Sequence, residues 1–313
     1  MSGLRTALVT GASGFVGTAL IPVLLSAGWN VRALTRHEPP PGSANNQLAW
    51  CQASGSDAHM AGCDAVVHLA ARVHVMDEQS ADPLADFRQI NVAATGQLAR
   101  QAVAAGVRRF VYISSIKVNG EETAPGRAFS AEDTPAPEDA YGMSKHEAEV
   151  VLRRVAQETG LEVVIIRPPL VYGPGVKGNF QTMLNWLRRG VPLPLASLHN
   201  RRSLVGVSNL CDLIRICIAH PKAANETFLV SDDHDLSTAE LLSLAGRAMG
   251  HPVRLWPFPP SWLQSGAVMI GKRGVARRLC GNLQVDIGKT KSVLGWVPPV
   301  DVETGLRRIF VNC

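Results

Sequence analysis

Tyr141 and Lys145 stand four residues apart in Ala140-Tyr141-Gly142-Met143-Ser144-Lys145, at the opening of a helical pattern. On a helix that spacing sets both side chains on one face, with Cβ atoms about 5–6 Å apart. A free phenol has a pKa near 10, and a fixed ammonium beside it favours the phenolate. The pair is therefore expected to exchange protons near neutral pH. Ser115 closes the strand-like run Arg109-Phe110-Val111-Tyr112-Ile113-Ser114-Ser115, where its hydroxyl can hydrogen-bond a reacting oxygen. An exposed helix pair would share the Tyr-Lys spacing, so the assignment rests on what accompanies it.

Upstream, Leu8-Val9-Thr10-Gly11-Ala12-Ser13-Gly14-Phe15-Val16-Gly17 breaks from an apolar strand, Thr6 to Val9, into glycines spaced G-x-x-G-x-x-G. Val16, Leu20, Ile21, Leu24 and Leu25 then recur at helical spacing. Gly11 permits a sharp strand exit, Gly14 lets a diphosphate approach the backbone, and Gly17 lets the helix pack on the strand. Free N–H groups around Ser13, Phe15 and Val16 then face the phosphates. An ordinary glycine-rich turn is the plain alternative.

The next strand, Asn30 to Leu34, runs into Thr35-Arg36-His37 and the turn-rich residues 38–43. An acid about 20 residues past such glycines receives a ribose 2′-hydroxyl, whereas an arginine accommodates a 2′-phosphate. Thr35 stands where the acid is expected and Arg36 follows, which favours NADP, with NAD the other choice. A solvated strand-end charge is the simpler account of Arg36. Gly62 to Ala71 forms a further buried strand whose small closing residues, Leu69-Ala70-Ala71, let backbone lie against a cofactor; His68 within it is expected to be structural.

These segments must be positioned by a regular alternation of strand and helix. A helix from about Asp82 to Ala105 contains Asn91, a proline-rich loop spans Gly120 to Asp139, and the helix opened by Tyr141 runs toward Gly160. The continuous apolar strand Leu161 to Ile166, ending at Arg167-Pro168-Pro169, suits burial on both faces. The pattern predicts a parallel sheet with right-handed crossovers. From Val171-Tyr172-Gly173-Pro174-Gly175 onward the rhythm loosens, so residues 1–170 are expected to form the nucleotide-binding part and 171–313 a smaller, interleaved substrate lobe.

The composition, 313 residues with 46% hydrophobic and 18% charged, supports one large domain or two interlocked lobes. A net charge of +5 without aromatic-basic interleaving argues against nucleic acid. Cys51, Cys63, Cys211, Cys217, Cys280 and Cys313 show no metal-type spacing and are expected to be reduced, with no metal bound. Met1 to Thr6 carry no apolar leader, so the cytoplasm is the expected location. Trp262 to Gly271 is shorter than the roughly 20 residues that span a bilayer. Arg201-Arg202 and Lys272-Arg273 with Arg277-Arg278 read as a solvated face, an anion site or, over 262–278, a weak membrane-surface contact.

Taken together, Thr10-Gly11-x-x-Gly14-x-x-Gly17, Asp64 to Ala71, Asn91, Ser114-Ser115, Tyr141-x-x-x-Lys145, Arg167-Pro168, Val171 to Gly175 and Leu294-Gly295-Trp296-x-Pro298 resemble the extended short-chain dehydrogenase/reductase family. That family comprises nucleotide-sugar epimerases, dehydratases and reductases, and the resemblance covers nearly the whole chain. It implies an α/β fold, a Rossmann-type doubly wound parallel sheet with a smaller C-terminal substrate-binding lobe. It implies that Tyr141 is the acid/base, that Lys145 also holds the nicotinamide ribose, and that Ser115, five before Gly120, faces the substrate oxygen. By the same resemblance Asn91 and Pro168 join the cofactor site. Lys117, Asn179 and Arg202 would contact a UDP-linked sugar, with Arg202 on its diphosphate and Arg278 a second phosphate contact. Relatives dimerise through two helices, here about 85–105 and 141–158.

Departures narrow the activity that the resemblance implies. Dehydratases carry Asp-Glu directly after the catalytic hydroxyl residue, where this chain has Ile116-Lys117. The acid that holds NAD in many epimerases is replaced by Thr35-Arg36. Arg72-Val73-His74-Val75-Met76, Ser114 to Glu121 and Tyr141 to Glu149 are similar to a branch from bacterial surface-polysaccharide (O-antigen) clusters. That branch reduces UDP-4-keto-6-deoxy-N-acetylhexosamines to UDP-N-acetylfucosamine or UDP-N-acetylquinovosamine. The leading expectation is such a 4-ketoreductase; the alternative is a UDP-glucose or UDP-N-acetylglucosamine 4-epimerase with bound NAD. A silent dinucleotide-binding scaffold is disfavoured by the intact Ser115, Tyr141 and Lys145.

Overall fold

Apolar residues alternate along the early strands and feed two cores on opposite faces of one sheet: Ala7 and Val9 point to one, Leu8 to the other. The structure, a computed structural model, describes residues 5–36, 45–52, 59–72, 82–251, 253–269 and 273–310. The segments 38–43 and 73–76, Lys272, Cys313 and the side chain of Asn179 lie outside the described residues. The strands are β1 (Thr6–Thr10), β2 (Asn30–Thr35), β3 (Leu48–Gln52), β4 (Ala65–His68), β5 (Arg109–Ile113), β6 (Glu162–Arg167), β7 (Leu170–Tyr172), β8 (Leu204–Gly206) and β9 (Thr227–Leu229). Seven pair in the order β3-β2-β1-β4-β5-β6-β9, all parallel. This is the expected doubly wound α/β sheet. β7 and β8 form a separate parallel pair.

The helices are α1 (Phe15–Ser26), α2 (Pro83–Phe87), α3 (Ala94–Ala104), α4 (Ala140–Thr159), α5 (Asn179–Arg188), α6 (Val207–Ala219), α7 (Thr238–Ala248), α8 (Pro260–Met269), α9 (Arg273–Cys280), α10 (Gly288–Leu294) and α11 (Val302–Arg308). α1 and α6 cover one face of the sheet through Leu20, Leu24, Leu210 and Ile214. α3 and α4 cover the other through Leu98, Ala102, Leu152 and Val155. Each such Leu, Ile or Val side chain, fully enclosed, contributes roughly 1.5–3 kcal/mol of apolar burial.

Local signals end these elements where the chain must turn. The Asp139 carboxylate caps α4 by accepting from Gly142 N at 2.7 Å. Gly160 closes it at φ 78°, the left-handed conformation that glycine adopts without strain. Between α2 and α3 the backbone widens into a π-helical turn, Arg88–Ala93, so the single helix expected over 82–105 is a composite of three.

Two strands escape the alternation read from sequence. β3 is a half-exposed edge strand. β9 has only three residues, yet it pairs with β6 through Ile165, Ile166 and Arg167. The chain therefore returns to the sheet after leaving for the lobe, whose own core gathers Tyr172, Phe180, Leu184, Leu204, Leu242 and Leu306.

Candidate active site

All the residues that carry chemistry gather at the C-terminal ends of β1, β4, β5 and β6, where open parallel sheets bind ligands. At the end of β1, Gly11 sits at φ +67°, and a Cβ added to it would lie 2.8 Å from Ala70 N. A Cβ on Gly17 would come within 2.4 Å of Gly11 O and 2.6 Å of Ala12 O. These glycines are required because backbone occupies the space a side chain would need. Gly14 precedes α1 in extended conformation with no side-chain cap, so the N–H groups of Phe15 and Val16 open the helix just after Ser13 with no capping side chain on them.

The loop after β4 passes alongside through Leu69, Ala70 and Ala71. It is braced by Thr10, whose Oγ1 accepts from Ala70 N at 3.2 Å and is bonded to His68 Nδ1 at 2.7 Å. His68 Nε2 is bonded to Thr95 Oγ1 at 2.9 Å. Burial, aided by the Lys145 charge, pushes the His68 pKa down to about 3, so the ring stays neutral, in the structural role expected of it. Arg36 stands exposed just past β2, while Thr35 is buried with its hydroxyl 3.3 Å from that of Ser13.

On α4, Lys145 is almost fully enclosed. Its ammonium donates to Ile113 O at 2.8 Å and lies 4.6 Å from the Tyr112 ring centre but 5.9 Å from that of Tyr141. The Ser115 hydroxyl is near enough to the Tyr141 phenol to favour its ionisation, and the Tyr141 ring meets Phe87 edge-on at 6.0 Å. Ser115 is extended at the end of the β5 run, and its Oγ accepts from Lys117 N at 3.3 Å.

The ionisation of this pair differs from the expectation. Desolvation raises the Tyr141 pKa, with Asp139 adding to the effect and the Ser115 hydroxyl opposing it. Burial also pushes Lys145 down to about 7, against the pull of Glu149. The ammonium is turned toward Tyr112 and Ile113 O, so its field does not offset burial of the phenol. Burial thus favours the protonated form of Tyr141.

Two other residues expected at the site have partners within the fold. Asn91, expected at the cofactor, lies buried on the π-helical turn. Its Nδ2 donates to Arg72 O at 3.1 Å and Ser144 Oγ at 3.0 Å, and its Oδ1 accepts from Arg72 N at 2.8 Å. It ties the β4 exit loop to α4 and so shapes the site from behind. Lys117, expected at the sugar, is paired with Glu121 and Asp139. Asp139 is also the cap of α4, so Lys117 is tied to the start of that helix.

Behind α4 lies a network the sequence reading missed. Glu149, one turn past Lys145, accepts from Ser114 Oγ at 2.6 Å and from Arg167 at 2.8 and 2.6 Å. Arg167 also donates to Asn119 Oδ1 at 2.9 Å. The i, i+4 placement of Glu149 after Lys145 was the available signal. Pro168, following Arg167, accepts from Ile116 N at 2.9 Å and so locks the β6 exit to the Ser115 segment.

In the C-terminal part of the chain, backbone bonds hold Arg202 between Leu236 and Leu283, and its Nη1 donates to Gly281 O at 3.0 Å. Burial lowers its pKa, Glu122 opposes that, and the nearby Arg278 charge lowers it further. Arg278 is exposed, with Nε on Gly274 O at 3.0 Å. Two guanidinium groups thus approach each other at the lobe side, while Asn179 begins α5.

The chain is similar to known proteins. The family model described as NAD dependent epimerase/dehydratase family matches residues 7–231. A Vibrio cholerae protein named UDP-glucose 4-epimerase is 45% identical over 97% of this chain and 94% of its own. The UDP-glucuronic acid 4-epimerase of Bacillus cereus, solved in complex with NAD, superposes with a TM-score of 0.79 at 19% identity, covering 98% of this chain and 95% of that one. The UDP-glucose 4-epimerase of Thermotoga maritima, solved with UDP-glucose, gives 0.77 at 23% identity, over 98% and 97%.

Proposed function

Because the chain belongs to the NAD dependent epimerase/dehydratase family, we propose that it is a UDP-glucose or UDP-N-acetylglucosamine 4-epimerase working with bound NAD. The observation that carries the chemistry is the Ser115–Tyr141 hydroxyl pair, one helical turn from Lys145 and beside a backbone cradle. The 45% identical relative named as a 4-epimerase favours this activity over the 4-ketoreduction that the sequence motifs put first.

The cradle fits a dinucleotide, since added Cβ atoms at Gly11 and Gly17 would strike backbone. Gly11, Ser13, Gly14, Phe15, Val16 and Gly17 would hold its diphosphate, with Leu69, Ala70, Ala71 and Pro168 as walls and Arg36 beside the adenosine ribose. A nicotinamide bound there would take a hydride from C4 and return it. Tyr141 takes the C4 hydroxyl proton as that carbon is oxidised to the ketone and gives it back to the oxygen when the ketone is reduced. Ser115 holds the same oxygen, and Lys145 orients the ribose. Arg202 and Arg278 bind the sugar-nucleotide diphosphate, with Asn179 near the sugar. A homodimer through the α3 and α4 face, where Ile90, Met143 and Val150 are exposed, and a cytoplasmic role in surface-polysaccharide synthesis complete the proposal.

One observation favours the second reading, an NADPH-dependent 4-ketoreductase: Thr35 stands where an NAD-binding acid would be, and exposed Arg36 follows it. Purified protein incubated with UDP-N-acetylglucosamine and UDP-glucose, without added nicotinamide, separates the two. Formation of the C4 epimer is expected. No epimer from either sugar, combined with oxidation of NADPH by a UDP-4-keto sugar, would install the reductase instead.

A further inference from the structure

The lobe carries a surface that the proposed reaction does not use. The stretches 163–211 and 241–285 together hold twelve of the 31 Lys and Arg and none of the 26 Asp and Glu. Within them, large apolar side chains face solvent: Trp262 is 69% exposed, Met269 87%, Trp256 47%, Trp186 45% and Val191 42%.

These residues are linked. Trp256 packs edge-on against Phe258 at 5.5 Å, and Phe258 against Trp262 at 6.1 Å. Trp262 and Met269 are seven apart on α8, and so lie on one helix face, with exposed Ser265 and Gly266 between them. Leu263, about 100° around α8 from Trp262, packs against the lobe core. The segment before α8 is bound to the strap after α5 through Leu193 N to Arg254 O at 2.9 Å and Trp256 N to Leu193 O at 3.1 Å, and Val191 N reaches back to Trp186 O. Arg277 is engaged by Glu122 and Glu138, and Arg202 faces inward. Arg189, Arg247 and Arg254 stand exposed on the same lobe.

From this face we infer that the lobe docks peripherally on an anionic lipid bilayer, with α8 lying in the interface plane. Tryptophan rings suit the headgroup level because one end is apolar and the other carries an N–H. Arginines drawn from stretches of sequence that hold no acid are complementary to anionic headgroups. A second copy of this chain would set arginine against arginine across a two-fold axis. No helix among the described residues is long and apolar enough to cross a membrane, so the contact is superficial.

Cosedimentation of the full chain tests this independently of any catalytic reading. The lipids are vesicles of phosphatidylethanolamine and phosphatidylglycerol in equal parts, with pure phosphatidylcholine for comparison. Binding to the anionic vesicles, weakened by salt and roughly tenfold poorer on phosphatidylcholine, is expected. Trp262→Ser with Met269→Ser should reduce partitioning roughly tenfold. Arg247→Ala and Arg254→Ala should each reduce it about fivefold, with unchanged circular-dichroism melting. Absent binding, equal binding to both lipids, or wild-type binding by the double variant overturns the inference. So does self-association of the chain that the double variant abolishes, which would assign the face to a second copy.

Discussion

Glu149 and Arg167 meet through two charge-assisted hydrogen bonds, 2.8 Å to Nε and 2.6 Å to Nη2, with both side chains almost wholly enclosed. The pair joins α4 to the end of β6 directly behind Lys145. Removing one partner of a buried pair strands the other charge, so Glu149→Gln should cost about 3–5 kcal/mol, read by urea denaturation. Adding Arg167→Met should recover much of that loss. If the single variant is as stable as wild type, the network is ornamental.

Tyr141→Phe removes the proton donor while leaving the ring against Phe87. Turnover should fall by about 10²–10⁴-fold, with dinucleotide affinity by calorimetry unchanged. Wild-type turnover in this variant would rule out the acid/base role.

Lys145 titrates near 7 in the folded chain, against an ordinary value of 10.5. Between about pH 7 and about pH 10 the unfolded state therefore binds a proton that the folded state lacks, and stability rises with pH by up to about 1.4 kcal/mol per unit. Lys145→Met should lack this rise. Its stability advantage over wild type is expected to be largest at and below about pH 7 and to shrink toward pH 10, measured by denaturation across that range.

Gly17→Ala forces a methyl group into the Gly11 and Ala12 backbone, at 2.4 and 2.6 Å. A destabilisation of about 1–3 kcal/mol is expected, together with loss of dinucleotide binding by fluorescence titration. Full binding by this variant would show that the turn is not the phosphate cradle.

Arg202→Gln should raise the UDP-sugar KM roughly tenfold or more, since a charge-assisted contact to phosphate contributes about 1.5–3 kcal/mol. The melting temperature should hold or rise, because the guanidinium is desolvated beside another positive charge. An unchanged KM would separate Arg202 from the substrate.

Motif spacing made the parallel alternation and the placement of Gly11, Gly17, Ser115, Tyr141 and Lys145 at one sheet edge legible from sequence. Those features are local, and the strand-end rule gathers them. The electrostatics were not legible, because the Lys145 ammonium turns to Tyr112 and Ile113 O, and which way a side chain turns depends on packing. Asn91 and Lys117 likewise have partners, Arg72 and Asp139, that lie far from them in sequence. β9 went unseen since three residues carry no period, and Glu149–Arg167 because a buried charge pair looks like two surface charges until the fold closes over it.

The return of residues 227–229 to the edge of the main sheet means that no single cut separates this molecule into autonomous halves. A fragment ending at residue 170 would bare β6 as a sticky border, and a chimaera that exchanged only residues 171–313 would have to import its own closing strand. Swapping sugar preference between relatives is therefore a matter of exchanging loops, not modules.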